Sequence, residues 1–162
     1  MKRSDTTEPA WVRNVANEQA VAELAGEFAS NVQAPLVIYL QGDLGAGKTT
    51  FARAYIHALG YQGYVKSPSY GLLETYRAGE QDILHLDLYR IEDPEELEYL
   101  ALRDLYTDTT VLLVEWPDRG KHYLPEPDLL LDFGEKDEVR FVACHGFSDA
   151  GETLARAISS QT

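Results

Sequence analysis

An α/β fold around a mixed sheet, parallel at its centre and antiparallel at its margins, is predicted by three features of this sequence. Leu36-Val37-Ile38-Tyr39-Leu40 reads as a buried strand running into Gly42-Asp43-Leu44-Gly45-Ala46-Gly47-Lys48-Thr49, and Thr50-Phe51-Ala52-Arg53-Ala54-Tyr55-Ile56 leaves that loop as a helix. The loop spells G-x-x-x-x-G-K-[ST], the phosphate-binding pattern of P-loop nucleotidases, whose setting is a strand-to-helix crossing in a three-layer fold. Val111-Leu112-Leu113-Val114 is a continuous apolar run, as suits a central strand covered on both faces. Residues 72–77 with 82–89, and 128–133 with 138–145, are paired stretches that read as hairpins and supply the antiparallel part.

The remaining elements follow in order. Residues 1–10 read as a disordered tail and 11–162 as one domain, with no repeat, linker or low-complexity tract. Trp11-Val12-Arg13-Asn14-Val15 alternates and suits a short edge strand. Asn17 can N-cap a helix over 18–30 that carries Ala20, Leu24 and Phe28 on one face. The helix after the loop reaches Leu59, and Gly60 sits where a C-cap glycine belongs. The hairpin turns are placed at 78–81 and 134–137. Asp93-Pro94-Glu95-Glu96 starts a helix, with an N-cap Asp, a Pro at the first helical position and a Glu at the capping-box position. Residues 151–159 form a closing helix.

Composition narrows the class. The 162 residues and 44% hydrophobic content fit one globular domain with an ordinary core. No apolar run approaches the ~18 residues of a membrane span. Met1-Lys2-Arg3-Ser4-Asp5 leads into polar sequence rather than the apolar core of a secretory signal, so a cytoplasmic protein is expected. Cys144 is the single cysteine, which excludes an internal disulfide or a cysteine metal cluster. With 27 acidic and 14 basic residues the formal charge is −13, and the basic residues form no stripe. Strong direct binding to a nucleic-acid backbone is therefore not expected.

The loop residues answer the demands of a polyphosphate. Glycines let successive backbone N–H groups curl toward phosphate oxygens, and the following helix aims its positive end at the anion. Lys48 is placed to reach the β- and γ-phosphates and the Thr49 hydroxyl to bind Mg²⁺. Gly42, Asp43, Leu44, Gly45, Ala46, Gly47, Lys48, Thr49 and Thr50 are the expected nucleotide-binding residues.

Hydrolysis needs further groups, a carboxylate that holds Mg²⁺ indirectly and one that orients the attacking water. Glu115 is the first carboxylate after the apolar run, the Walker B position with Glu in place of the usual Asp. Alternation over 82–89 places Leu84, Leu86 and Leu88 on one face and His85, Asp87 and Tyr89 on the other. Asp87 is accordingly a candidate for catalysis or metal organisation, while His85 fits a structural hydrogen bond as well as a chemical role. Histidines 57, 122 and 145 are scattered singly and suggest no metal site. Trp116 reads as a packing anchor, and Arg119 and Lys121 sit where a cation could face transition-state charge. In Ser67-Pro68-Ser69-Tyr70, Pro68 restricts Ser67 to extended backbone and presents Ser69 as a candidate γ-phosphate sensor.

Absent motifs discriminate among P-loop proteins. No Asn-Lys-x-Asp and no Asp-x-x-Gly after a strand are present, which argues against an ordinary small GTPase. The arginines are dispersed rather than gathered on a lid, which disfavours a small-molecule kinase but leaves it as the alternative. A binding module with nucleotide as a regulatory ligand is a third reading.

The loop together with Ser67-Pro68-Ser69-Tyr70, His85-Leu86-Asp87-Leu88-Tyr89-Arg90, Asp93-Pro94-Glu95-Glu96-Leu97-Glu98 and Glu115-Trp116-Pro117-Asp118-Arg119-Gly120 resembles the TsaE (YjeE) family in order and spacing, across residues 12–133. The resemblance implies a bacterial, Mg²⁺-dependent ATPase, weak alone, that is needed to make threonylcarbamoyladenosine beside the anticodon of tRNAs reading codons that begin with A. It implies binding to a heterodimer of TsaD and TsaB, with ATP hydrolysis supporting turnover and tRNA held by the partners. Carried onto this chain, Lys48 and Thr49 become the phosphate and Mg²⁺ ligands, Glu115 the second metal-site carboxylate, and Asp87 the acid required for hydrolysis. Ser69 stands where the family usually has Thr, and Val21 where a Thr near the base is typical.

Overall fold

The computed structural model describes residues 8–68 and 72–159. Its strands are β1 (Trp11–Asn14), β2 (Leu36–Gly42), β3 (Leu73–Ala78), β4 (Gln81–Asp87), β5 (Thr110–Glu115), β6 (Leu129–Lys136) and β7 (Val139–Gly146). They form one seven-stranded sheet in the order β1-β7-β6-β2-β5-β4-β3. The four inner strands β6, β2, β5 and β4 run parallel, whereas β3 pairs antiparallel with β4, β7 with β6 and β1 with β7. The mixed sheet expected from the sequence is thus present, with its parallel part buried and its antiparallel part at the edges.

Three helices cover one face. In α1 (Glu18–Asn31) the buried Val21, Leu24, Ala25 and Phe28 recur at the three- and four-residue spacing that makes one apolar stripe. The Asn17 side chain caps it by accepting from the Ala20 N–H at 2.9 Å. α2 (Lys48–Ala58) buries Phe51, Ala52, Tyr55 and Ile56, and its Phe51 ring meets Phe28 edge-on at 5.3 Å and Phe133 of β6 at 6.0 Å. α4 (Asp149–Ser159) adds Leu154, Ala155 and Ile158 to the same core. No helix of the described residues is long and apolar enough to cross a membrane.

The opposite face is covered more thinly, by the short α3 (Leu102–Leu105) and by 3-10 turns over Pro94–Leu100 and Lys121–Tyr123. The start expected at Asp93 is present as a full capping box, but the element is a 3-10 helix. Its apolar residues explain the difference. Pro94, Leu97 and Leu100 are spaced by three, so a three-residue repeat turns all of them inward and leaves Glu95, Glu96, Glu98 and Tyr99 exposed.

The second hairpin also departs from expectation, because its strands continue to Lys136 and resume at Val139. The turn is Asp137-Glu138, both at positive φ (52° and 66°), the pairing of conformations that suits a tight hairpin. Gly134, which suggested a turn, lies within β6, where a Cβ would strike the Phe141 ring.

The C-terminal helix is tied to the sheet through Asp128. Its carboxylate accepts from the Val37 N–H at 2.8 Å and the Ser148 hydroxyl at 2.7 Å, and its carbonyl accepts from Phe147 at 2.9 Å. Gly151 lies directly over that carbonyl, and a Cβ there would overlap it. Gly151→Ala is therefore expected to destabilise the fold by about 1–3 kcal/mol and lower Tm in thermal unfolding. A second consequence of the core concerns Cys144, which is fully buried in β7 and whose thiol burial pushes up to about 12. It is expected to resist a thiol reagent at neutral pH while folded and to react at once in denaturant.

Candidate nucleotide site

The loop between β2 and α2 depends on its glycines at two positions above all. Gly42 ends β2 at φ 146°, and a Cβ there would lie 2.5 Å from the Phe133 carbonyl oxygen of β6. Gly47, at φ 117°, caps α2, so the first turn of that helix opens directly toward the loop.

Parallel pairing brings the other candidates to the same end of the sheet. Leu40 of β2 lies opposite Glu115 of β5, and Glu115 opposite Asp87 of β4, so the strands deliver the loop and both carboxylates side by side. Glu115 is 2% and Asp87 5% exposed, which is unusual for carboxylates and places them beneath the loop rather than in solvent. The Thr49 hydroxyl lies 2.9 and 3.1 Å from the two Glu115 oxygens. The wholly buried His85 brings Nε2 to 2.6 Å from Glu115 Oε2, the oxygen that Thr49 also meets at 3.1 Å. The Asp87 carboxylate accepts from the Tyr89 N–H at 3.0 Å.

Lys48 is 4% exposed. Its ammonium donates to the carbonyls of Gly42 and Asp43, the latter at 2.9 Å, and sits 4.2 Å over the Trp116 ring. Burial holds its pKa below the ordinary lysine value, opposed by the Glu115, Asp87, Asp43 and Asp118 carboxylates.

A cleft of about 440 Å³ joins these groups. Leu44, Gly45, Gly47, Lys48, Thr49 and Thr50 of the loop and helix start line it together with Asp87 and Glu115. Gly42 and Asp43 meet it through the carbonyls that hold Lys48, whereas Ala46 packs on the helical core. Ser69 lies outside the described residues. Val21 is buried, beside Gly47, and it is Glu18 one turn earlier that reaches the cleft.

Several contacts have no counterpart in the linear pattern. Arg140 of β7 donates to the Gly45 carbonyl at 2.6 Å and braces the loop from the second hairpin. Arg119 donates to the Tyr89 carbonyl and lies 4.9 Å from both the Tyr89 and Trp116 rings. Trp116, at φ 58°, thus lines the cleft and meets the cations of Lys48 and Arg119 instead of only anchoring the core. Lys121 is exposed. A basic residue on an alternating strand carries no local signal of a loop nearly a hundred residues away, so Arg140 was visible only once the sheet order was known.

Among the described residues no group of three or more His, Cys, Asp or Glu could hold a metal by itself. The donors that converge are oxygens, from Thr49, Glu115 and Asp87. Such a set fits Mg²⁺, which takes one or two carboxylates and completes its shell with phosphate oxygens and water.

Comparison with known proteins follows the same lines. The family model described as Threonylcarbamoyl adenosine biosynthesis protein TsaE matches residues 15–142. The tRNA threonylcarbamoyladenosine biosynthesis protein TsaE of Haemophilus influenzae is 41% identical over 125 residues, covering 77% of this chain and 79% of that protein. The Bacillus subtilis protein of the same name is 37% identical over 116 residues, covering 72% and 70%. A crystal structure of Bacillus subtilis YdiB superposes with a TM-score of 0.78 at 25% identity, covering 93% of this chain and 95% of that one.

Proposed function

Because this chain belongs to the TsaE family, we propose that it is a cytoplasmic, Mg²⁺-dependent ATPase of bacterial tRNA threonylcarbamoyladenosine synthesis, weak alone and stimulated by a TsaD–TsaB heterodimer. The observation that carries the chemical part is the hydrogen bond from the half-buried Thr49 hydroxyl to the buried Glu115 carboxylate at the end of β5, beside the Lys48 loop.

In this reading the amides from Gly45 to Thr50 and the ammonium of Lys48 hold the β- and γ-phosphates of ATP. Thr49, through its hydroxyl oxygen, and Glu115, to which that hydroxyl donates, would hold Mg²⁺. Mg²⁺, once bound, supplies positive charge to the β- and γ-phosphate oxygens. Asp87, held by the Tyr89 amide and facing the same cleft, orients the attacking water. Ser69 completes the set as the hydroxyl that senses the γ-phosphate. The net charge of −13 supports a division of labour in which partners hold the tRNA.

The fate of the γ-phosphate tests this reading. With γ-labelled ATP and a metabolite extract, the label is expected to appear as free phosphate. Label transferred to an acceptor molecule would instead establish the alternative, a small-molecule kinase.

A further inference from the structure

We propose that His85 is a positioning residue of this site, one that holds the Glu115 carboxylate in the orientation that receives Mg²⁺; this role rests on the ATPase reading above. On β4 His85 lies opposite Leu113 and Asp87 opposite Glu115, so the imidazole sits one step below the two carboxylates on their own face of the sheet. From there Nε2 reaches diagonally to Glu115 Oε2 at 2.6 Å, with His85 fully buried and Glu115 2% exposed.

Two features separate this from packing. The Nδ1 atom of His85 is buried without a hydrogen-bond partner, a cost that leucine, found on either side at 84 and 86, would avoid. The imidazole is retained where its one satisfied nitrogen meets the metal-site acid. Glu115, moreover, stands where the shorter Asp is usual, and its extra rotatable bond gives the carboxylate more orientations to lose. Among the described residues, Thr49 and His85 anchor it through their side chains. Thr49 is itself a proposed metal ligand, whereas the side-chain hydrogen bonding of His85 goes to the carboxylate alone.

The test compares two amides. In His85→Gln the side-chain nitrogen extends to about the Nε2 position, and in His85→Asn it stops near Nδ1. The readout is the gain in affinity for a mant-labelled, non-hydrolysable ATP analogue when Mg²⁺ replaces EDTA. In His85→Asn that gain is expected to fall by about 10- to 100-fold, while His85→Gln keeps most of it and both variants bind the analogue normally without Mg²⁺. A wild-type gain in the Asn variant, or an equal loss in both, overturns the role. If the Asn variant fails to fold, the histidine ¹⁵N spectrum of the wild-type chain decides. A hydrogen-bonded Nε2–H whose resonance moves on adding Mg²⁺ to the bound analogue is expected; no response overturns the role. A wild-type protein with no Mg²⁺-dependent gain would overturn the ATPase reading itself, which distinguishes that failure from failure of the His85 role alone.

Discussion

Lys48→Ala is expected to reduce ATP hydrolysis by at least ~10²–10³-fold and to weaken nucleotide binding without unfolding the protein. Lys48 is the buried cation of the cleft, facing two buried carboxylates, Asp87 and Glu115. Truncating it leaves those negative charges opposite the phosphates with no compensating ammonium. The change also frees the Gly42 and Asp43 carbonyls that the side chain ties together, so the loop loses an internal brace. Folding rests on other groups, since the α2 core is made by Phe51, Tyr55 and Ile56. Phosphate release and analogue binding, read beside Tm, check the outcome. A folded variant that retains wild-type turnover would remove Lys48 from the proposed machinery.

Neutralising the carboxylates is expected to have effects of similar size, and to separate their duties. Glu115→Gln keeps the shape of a side chain that is 2% exposed but removes the charge beside Thr49. Turnover should fall ~10²–10³-fold together with the Mg²⁺-dependent part of nucleotide affinity, while Mg²⁺-free binding persists. Asp87→Asn should lower turnover to a comparable degree with nucleotide affinity largely retained, as expected of a group that acts on water more than on the ground-state complex. Single-turnover hydrolysis and equilibrium binding on both variants check this division. Unchanged hydrolysis in either variant would contradict the role given to that residue.

Much of this arrangement was legible in the sequence because it rests on local patterns. A strand, a glycine-rich turn and a helix in succession define the loop, and period-two alternation over 82–89 placed His85 and Asp87 on one face with Leu84, Leu86 and Leu88 on the other. That same alternation could not say what His85 touches, since its partner Glu115 is thirty residues away on a neighbouring strand. The contacts of Arg140, which no local pattern singles out, and of Trp116, which reads as a packing anchor, have the same origin: they depend on sheet order and on one left-handed backbone position, neither of which has a periodic signature. The 3-10 turn after Asp93 shows a finer limit. Its capping residues announce a helix start, but the choice of helix follows from which of Pro94, Leu97 and Leu100 must reach the core.

The most direct test of the account is phosphate release from ATP by this chain with and without a purified TsaD–TsaB heterodimer that is active in tRNA modification. Slow release alone, raised on adding the heterodimer and lost in Lys48→Ala, is the predicted result. Release that the active heterodimer leaves unchanged would contradict the account.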